Sequence, residues 1–121
     1  MDRRNGIGAW GEDQAAKYLK KKGFRVLERN WSCRWGEIDL IAANREYLIF
    51  AEVKLRKSDA FARAAEFVDR RKQARLIAAA ELWLSGHETE RQPRFDVIEI
   101  YAPEGENTKK PIINHLEDAF Q

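Results

Sequence analysis

Gly36-Glu37-Ile38-Asp39-Leu40-Ile41-Ala42-Ala43 and Tyr47-Leu48-Ile49-Phe50-Ala51-Glu52-Val53-Lys54 are two mostly apolar runs separated by Asn44-Arg45-Glu46 alone. Apolar runs of strand length on either side of a short polar turn predict an antiparallel hairpin, with strands over 36–43 and 47–55. Centring the turn between Arg45 and Glu46 puts Asp39 opposite Glu52 and Glu37 opposite Lys54. Side chains alternate along a strand, so Glu37, Asp39, Glu52 and Lys54 then share one face with Ile41, Leu48 and Phe50. Ile38, Leu40, Tyr47, Ile49, Ala51 and Val53 fall on the other face. Both faces are largely apolar, as in a central strand pair covered on both sides.

The flanking sequence supplies the covers. Residues 8–22 predict a helix in which Glu12, Ala15, Ala16 and Leu19 share a face, and Gly23 stands where a C-terminal cap belongs. Phe24 to Trp31 predicts a strand at or near an edge. Residues 56–63 predict a loop, and 64–85 a long helix closed by Gly86, with Val68, Leu76, Ala79, Ala80 and Trp83 on its buried side. A polar loop over 87–93 leads to a strand over Phe95–Tyr101. Pro103 to Pro111 predicts a loop, and Ile112 to Phe120 a short tail that packs back. The order α-β-β-β-α-β implies an α/β fold, a mixed sheet flanked by helices. The chain has 121 residues and no Pro/Gly/Ser-rich linker, so it is expected to form a single domain.

Composition narrows the function classes. The chain is 44% hydrophobic and 35% charged, which fits a globular protein and not a disordered one. Its one cysteine, Cys33, cannot close an internal disulfide, which suits a reducing, cytoplasmic setting. No apolar stretch is long enough to span a bilayer, and Met1 to Asn5 does not open a secretion signal, so no membrane association is expected. The net charge is only +2, yet basic residues come in runs: Lys20 to Arg29, Arg56 with Lys57, and Arg70 to Arg75. Such runs suit a phosphate backbone, and equally a solvated helix face.

Four charged residues at one end of an apolar hairpin are costly to bury unless they pair or hold a metal. Asp39 and Glu52, a few ångströms apart, would repel each other and call for a cation; oxygen ligands select Mg²⁺ or Mn²⁺. Lys54, two residues after Glu52, would stand beside the same site and could polarise a nucleophile or stabilise negative charge. That is the logic of phosphodiester hydrolysis. The competing interpretation is a cross-strand salt-bridge network without chemistry.

Gly8 to Ala15, Asn30 through Gly36-Glu37-Ile38-Asp39-Leu40-Ile41, Phe50-Ala51-Glu52-Val53-Lys54-Leu55-Arg56 and Arg94-Phe95-Asp96-Val97 together resemble the YraN-like family, a bacterial family of predicted endonucleases. The resemblance implies a restriction-endonuclease-like fold of the Holliday-junction-resolvase-like type, with an αβββαβ core. It implies Asp39 and Glu52 as metal ligands, the backbone carbonyl of Val53 as a further ligand, Lys54 as the catalytic lysine, and Glu12 as a helix glutamate approaching the metal. Ile38 departs from the proline common before that aspartate in the wider superfamily. Ala51 is smaller than the valine common in this family's strand. The expected activity is Mg²⁺- or Mn²⁺-dependent hydrolysis of DNA, on branched or otherwise structured substrates, by a chain that could act as a homodimer and needs no organic cofactor. The alternatives are a non-catalytic nucleic-acid-binding module on the same fold, or an interaction scaffold with a vestigial site.

Other residues carry paired interpretations. Glu12 either approaches the metal or complements the helix dipole. Glu37 and Lys72 are accessory candidates, although a lysine such as Lys72 more often snorkels from an apolar edge. Arg56, Lys57, Arg71 and Arg75 are candidate contacts to nucleic acid. Trp31 and Trp35 flank a polar segment and could stack on bases, with core packing as the commoner role. Asp96 could support the site, or pair structurally with Arg94 or a helix residue, the commoner role. Cys33, His87 and His115 lack zinc spacing.

Overall fold

The computed structural model describes residues 6–57 and 69–120. They form helix α1 (Ile7–Lys21), strands β1 (Arg25–Cys33), β2 (Gly36–Ala43) and β3 (Tyr47–Arg56), helix α2 (Arg70–Ser85), strand β4 (Gln92–Tyr101), a 3₁₀ turn (Gly105–Asn107) and strand β5 (Ile112–Phe120). The strands make one sheet in the order β1-β2-β3-β4-β5. All neighbours are antiparallel except β3 and β4, which run parallel across the α2 crossover. This is a mixed α/β sheet consistent with a restriction-endonuclease-like core.

Local sequence explains the element ends. At the end of α1, Gly23 (φ 94°) donates to the Lys20 carbonyl at 3.0 Å and Phe24 to the Leu19 carbonyl at 2.9 Å. This is the Schellman pattern; Phe24 and Leu19 pack in one cluster, and Lys20 and Lys21 complement the carbonyl end of the dipole. In the β2–β3 turn the Asn44 side chain accepts from the amides of Glu46 (2.9 Å) and Tyr47 (2.7 Å), an Asx turn that fixes the register. Asp69 caps α2 by accepting from the Lys72 amide at 2.8 Å.

The hairpin register is the expected one: Ala43 faces Leu48, Ala42 Ile49, Ile41 Phe50 and Leu40 Ala51. Alternation then builds two cores. Leu40, Ala42, Ile49 and Ala51 pack with Ala15 and Leu19 of α1, and with Ile98 and Ile100 of β4. Ile41, Ala43, Leu48 and Phe50 pack with Leu76, Ala79, Ala80 and Trp83 of α2. The helices therefore cover opposite faces.

Four expectations need correcting. The expected helix over 64–85 does not run through Asp69, which is extended (ψ 171°), and α2 starts at Arg70; residues 64–68 lie outside the described residues. Val68 and most of the expected 56–63 loop lie outside the described residues. Strand β4 starts at Gln92, inside the expected loop. Pro93 is tolerated because pairing with β5 begins only at Phe95, so its missing N–H breaks no ladder on that side. The tail is a fifth strand. Its alternation is hidden by a register shift opposite Phe95–Val97, beside Asp118 at φ 51°. Ile38 packs under α2, not on the α1 face. It lies three residues from Ile41 in the same cluster, so β2 leaves strict alternation between them.

Candidate functional site

The β2–β3 ladder ends at Leu40–Ala51, and beyond it the strands part. Glu37 lies beyond that end, so it is not the ladder partner of Lys54; on the β1 side it faces Ser32, whose hydroxyl donates to its carboxylate at 3.3 Å. Where the strands separate, Oδ2 of Asp39 accepts the Val53 N–H at 2.9 Å, which fixes the carboxylate of a side chain only 1% exposed. A cleft of about 400 Å³ opens there, lined by Trp35, Glu37, Asp39 and Glu52 on the sheet side and by Lys72 and Arg75 on α2. Asp69, Leu76 and Ala79 complete its α2 wall.

Glu52 is 6% exposed and serves two lysines through one oxygen: Nζ of Lys72 lies 2.6 Å and Nζ of Lys54 3.6 Å from Oε1. The two ammonium groups are displaced in opposite directions. Burial lowers the pKa of Lys54, and the neighbouring Lys72 charge adds to this while Glu52 pulls against it. Burial also opposes the charge on Lys72, but its bond to Glu52 and the attraction of that carboxylate raise its pKa. Lys72 is the fixed counter-charge, and Lys54 gives up its proton more readily.

The cleft brings together Asp39, Glu52, Glu37, Lys72 and Arg75, with Lys54 held at its Glu52 wall. Val53 is tied in through its amide. Other candidates lie elsewhere. Glu12 is 1% exposed in the α1 layer, with Arg29 of β1 at 4.0 Å, and does not line the cleft. Arg56 directs Nε to Oε2 of the fully buried Glu99 at 3.2 Å. Lys57 and Arg71 are exposed and outside the cleft lining. Among the described residues no three His, Cys, Asp or Glu side chains converge as a metal cluster. The donor set fits Mg²⁺ or Mn²⁺ all the same. Such ions are commonly held by one or two carboxylates with water and substrate phosphate, and two buried carboxylates line this cleft.

A second polar network extends the expected Asp96–Arg94 pair. Asp96, fully buried, accepts from Arg94 through two bonds of 2.9 Å and from the Asp118 amide at 3.0 Å, and pairs with Nε2 of His115 at 2.7 Å. Tyr18 of α1 joins His115 Nδ1 at 3.0 Å. Asp96 thus pairs with Arg94, one of its two expected roles, and ties α1, β4 and β5 together. Glu99 had a visible signal, a charge inside Val97-Ile98-Glu99-Ile100; the Tyr18–His115 contact spans the chain and had none.

A family model described as "Uncharacterised protein family UPF0102" matches residues 11–100. The chain belongs to the UPF0102 family. A UPF0102 protein of Caldanaerobacter subterraneus is 43% identical over 116 residues, covering 94% of this chain and 93% of the relative. One from Rhodococcus jostii is 44% identical over 94% of this chain and 95% of its own length. One from Frankia casuarinae is 39% identical over 99% of this chain and all of its own. The UPF0102 match spans the whole carboxylate–lysine segment. Among the described residues no helix is long and apolar enough to cross a membrane.

Proposed function

We propose that this chain is a Mg²⁺- or Mn²⁺-dependent endonuclease that hydrolyses DNA phosphodiester bonds, with branched or otherwise structured DNA as substrate. The observation that carries this is the cleft itself: two buried carboxylates, Asp39 and Glu52, line it, and Lys54 reaches the same Glu52 oxygen. Asp39 and Glu52 would hold the ion, with the Val53 carbonyl as a further ligand. When bound, the ion would polarise the phosphate and ease deprotonation of the attacking water.

The chain's own groups do the rest. The Val53 N–H keeps Asp39 oriented. Lys54, whose pKa burial lowers, orients the attacking water and in its neutral form takes the proton that the water gives up. Arg75 at the cleft wall and the exposed Lys57 and Arg71 offer charge to the DNA backbone. A symmetric cut of two strands would take two copies of the chain.

Cleavage of branched, single-stranded and duplex DNA with Mn²⁺ tests the proposal. Lys54→Ala is expected to lower the rate by about 10²–10⁴-fold, the usual worth of a general acid–base group. Equal background cleavage by wild type and variant defeats it. One observation favours a second interpretation, a non-catalytic nucleic-acid-binding module: Lys54 and Lys72 already balance the charge of Glu52. That role predicts salt-sensitive DNA binding that survives Asp39→Ala.

A further inference from the structure

Arg34 and Trp35 form the tip of the β1–β2 hairpin, between the facing residues Cys33 and Gly36. Two-residue hairpin tips normally carry Asn-Gly or Asp-Gly, because the backbone there favours positive φ. Here neither tip residue has positive φ; Gly36, at 132°, takes that angle instead. The turn can therefore carry two large side chains. One is an indole, which a protein usually buries for its large apolar area. Trp35 is 41% exposed, whereas Trp83 is 4% exposed in the core. The Arg34 guanidinium sits over the Trp35 ring, 5.1 Å from its centroid. Trp35 also lines the cleft that contains Asp39, Glu52, Lys72 and Arg75.

We infer that Trp35 is a stacking platform for one unpaired nucleobase of the bound strand, taken on the ring face away from Arg34, whose guanidinium over the opposite face serves the adjoining phosphate. This rests on the cleft being the nucleic-acid site proposed above, and it narrows the substrate class. A base inside a duplex has both faces covered by its neighbours, so an indole at the cleft rim gains a stacking partner only where a base is unpaired or flipped out. The strand would run between the basic wall of α2 and the hairpin tip, its phosphate toward the carboxylates and its base toward Trp35. The preferred substrate is single-stranded nucleic acid or the single-stranded part of a branched one, not continuous duplex.

The test is binding, separate from cleavage. Full-length protein carrying Lys54→Ala, without metal, is titrated with a short single-stranded DNA containing 2-aminopurine, a single-stranded RNA of the same sequence, and the blunt DNA duplex. Stacking is expected to quench the 2-aminopurine. Trp35→Ala is expected to abolish the quench and weaken single-strand binding at least about fivefold, while duplex binding stays within twofold. Trp35→Phe is expected to restore most of both signals. The DNA and RNA arms show which sugar the platform accepts. If Trp35→Ala binds single strands as tightly as its parent, or weakens single-strand and duplex binding alike, or if Trp35→Phe rescues nothing, the inference is overturned. Binding without any cleavage by wild type would remove the nuclease proposal and leave the platform standing. Cleavage indifferent to Trp35 and to strandedness would do the reverse.

Discussion

Lys72 sets the clearest quantitative test of the cleft. Its ammonium lies 2.6 Å from Glu52 Oε1, where a metal ligand would have to work. Two carboxylates, Asp39 and Glu52, and two ammonium groups, Lys54 and Lys72, leave the group formally neutral; Lys72→Met makes it −1. A divalent cation sharing Oε1 would sit no more than about 4.7 Å from the Lys72 nitrogen, taking a metal–oxygen distance of about 2.1 Å. Repulsion between charges of +2 and +1 at that separation is about 1.8 kcal/mol with water-like screening. Weak screening of the strength found in a dry interior does not apply, because the Lys72 side chain is 39% exposed. Lys72→Met is therefore expected to bind Mn²⁺ about ten- to twentyfold tighter than wild type. Paired calorimetric titrations at low ionic strength would measure it, with Asp39→Asn as the variant that loses the ion. Raising the salt should shrink the difference. Equal or weaker Mn²⁺ binding by Lys72→Met would mean that the ion does not meet Glu52 at this oxygen, and the metal-site geometry would have to be abandoned.

Two further expectations concern the frame around the cleft. Asp96→Ala removes the two shorter bonds of the buried Arg94 guanidinium, leaving it Glu117 at 3.2 Å, and should destabilise the fold by about 2–3 kcal/mol in urea titrations; a loss below about 1 kcal/mol would show the network to be dispensable. Burial opposes the Asp96 charge, but hydrogen bonds from His115, Arg94 and the Asp118 amide outweigh it and hold the carboxyl below its usual pKa. Its stabilisation is therefore complete above about pH 4, the ordinary aspartate range, and is lost as pH falls through the folded value. Urea midpoints measured down the acid limb should fall less steeply in the Ala variant than in wild type. At Gly11 an added Cβ would come within 3.0 Å of Leu55 Cγ and Cδ1, so Gly11→Val should lose about 1–3 kcal/mol by overpacking α1 on β3. An unchanged thermal midpoint would show that Leu55 simply moves aside.

The hairpin was legible because its information is local. Period-two alternation and the Asn44 turn fix the register, and the register fixes which residues lie under which helix. The carboxylates were legible for a related reason: Asp39 and Glu52 are charges inside apolar runs, and each is held by its own strand. The rest depends on contacts that sequence spacing does not encode. Extending the register past Leu40–Ala51 put Glu37 opposite Lys54, but the strands part there, and the Asp39 carboxylate takes a backbone amide. Strand β5 was hidden by a register irregularity, and α2 starts at the Asp69 cap. Lys72 came nearest to being read correctly. Its place on the α2 surface was visible, but its bond to Glu52 needs the crossover that lays α2 over the parted strands.

That bond explains why a neutral count of charges says so little about this cleft. Both lysines face Glu52, yet the one held at 2.6 Å gains more from the carboxylate than burial takes away, while the one at 3.6 Å does not. Here one is held close and the other is left nearer to losing its proton. Under the proposed nuclease reaction, that division would let Lys54 transfer a proton while Lys72 keeps the charge balanced. A salt-bridge role without chemistry would leave wild type, Lys54→Ala and Lys54→Arg alike in cleavage assays, with differences confined to stability and to charge-dependent DNA binding.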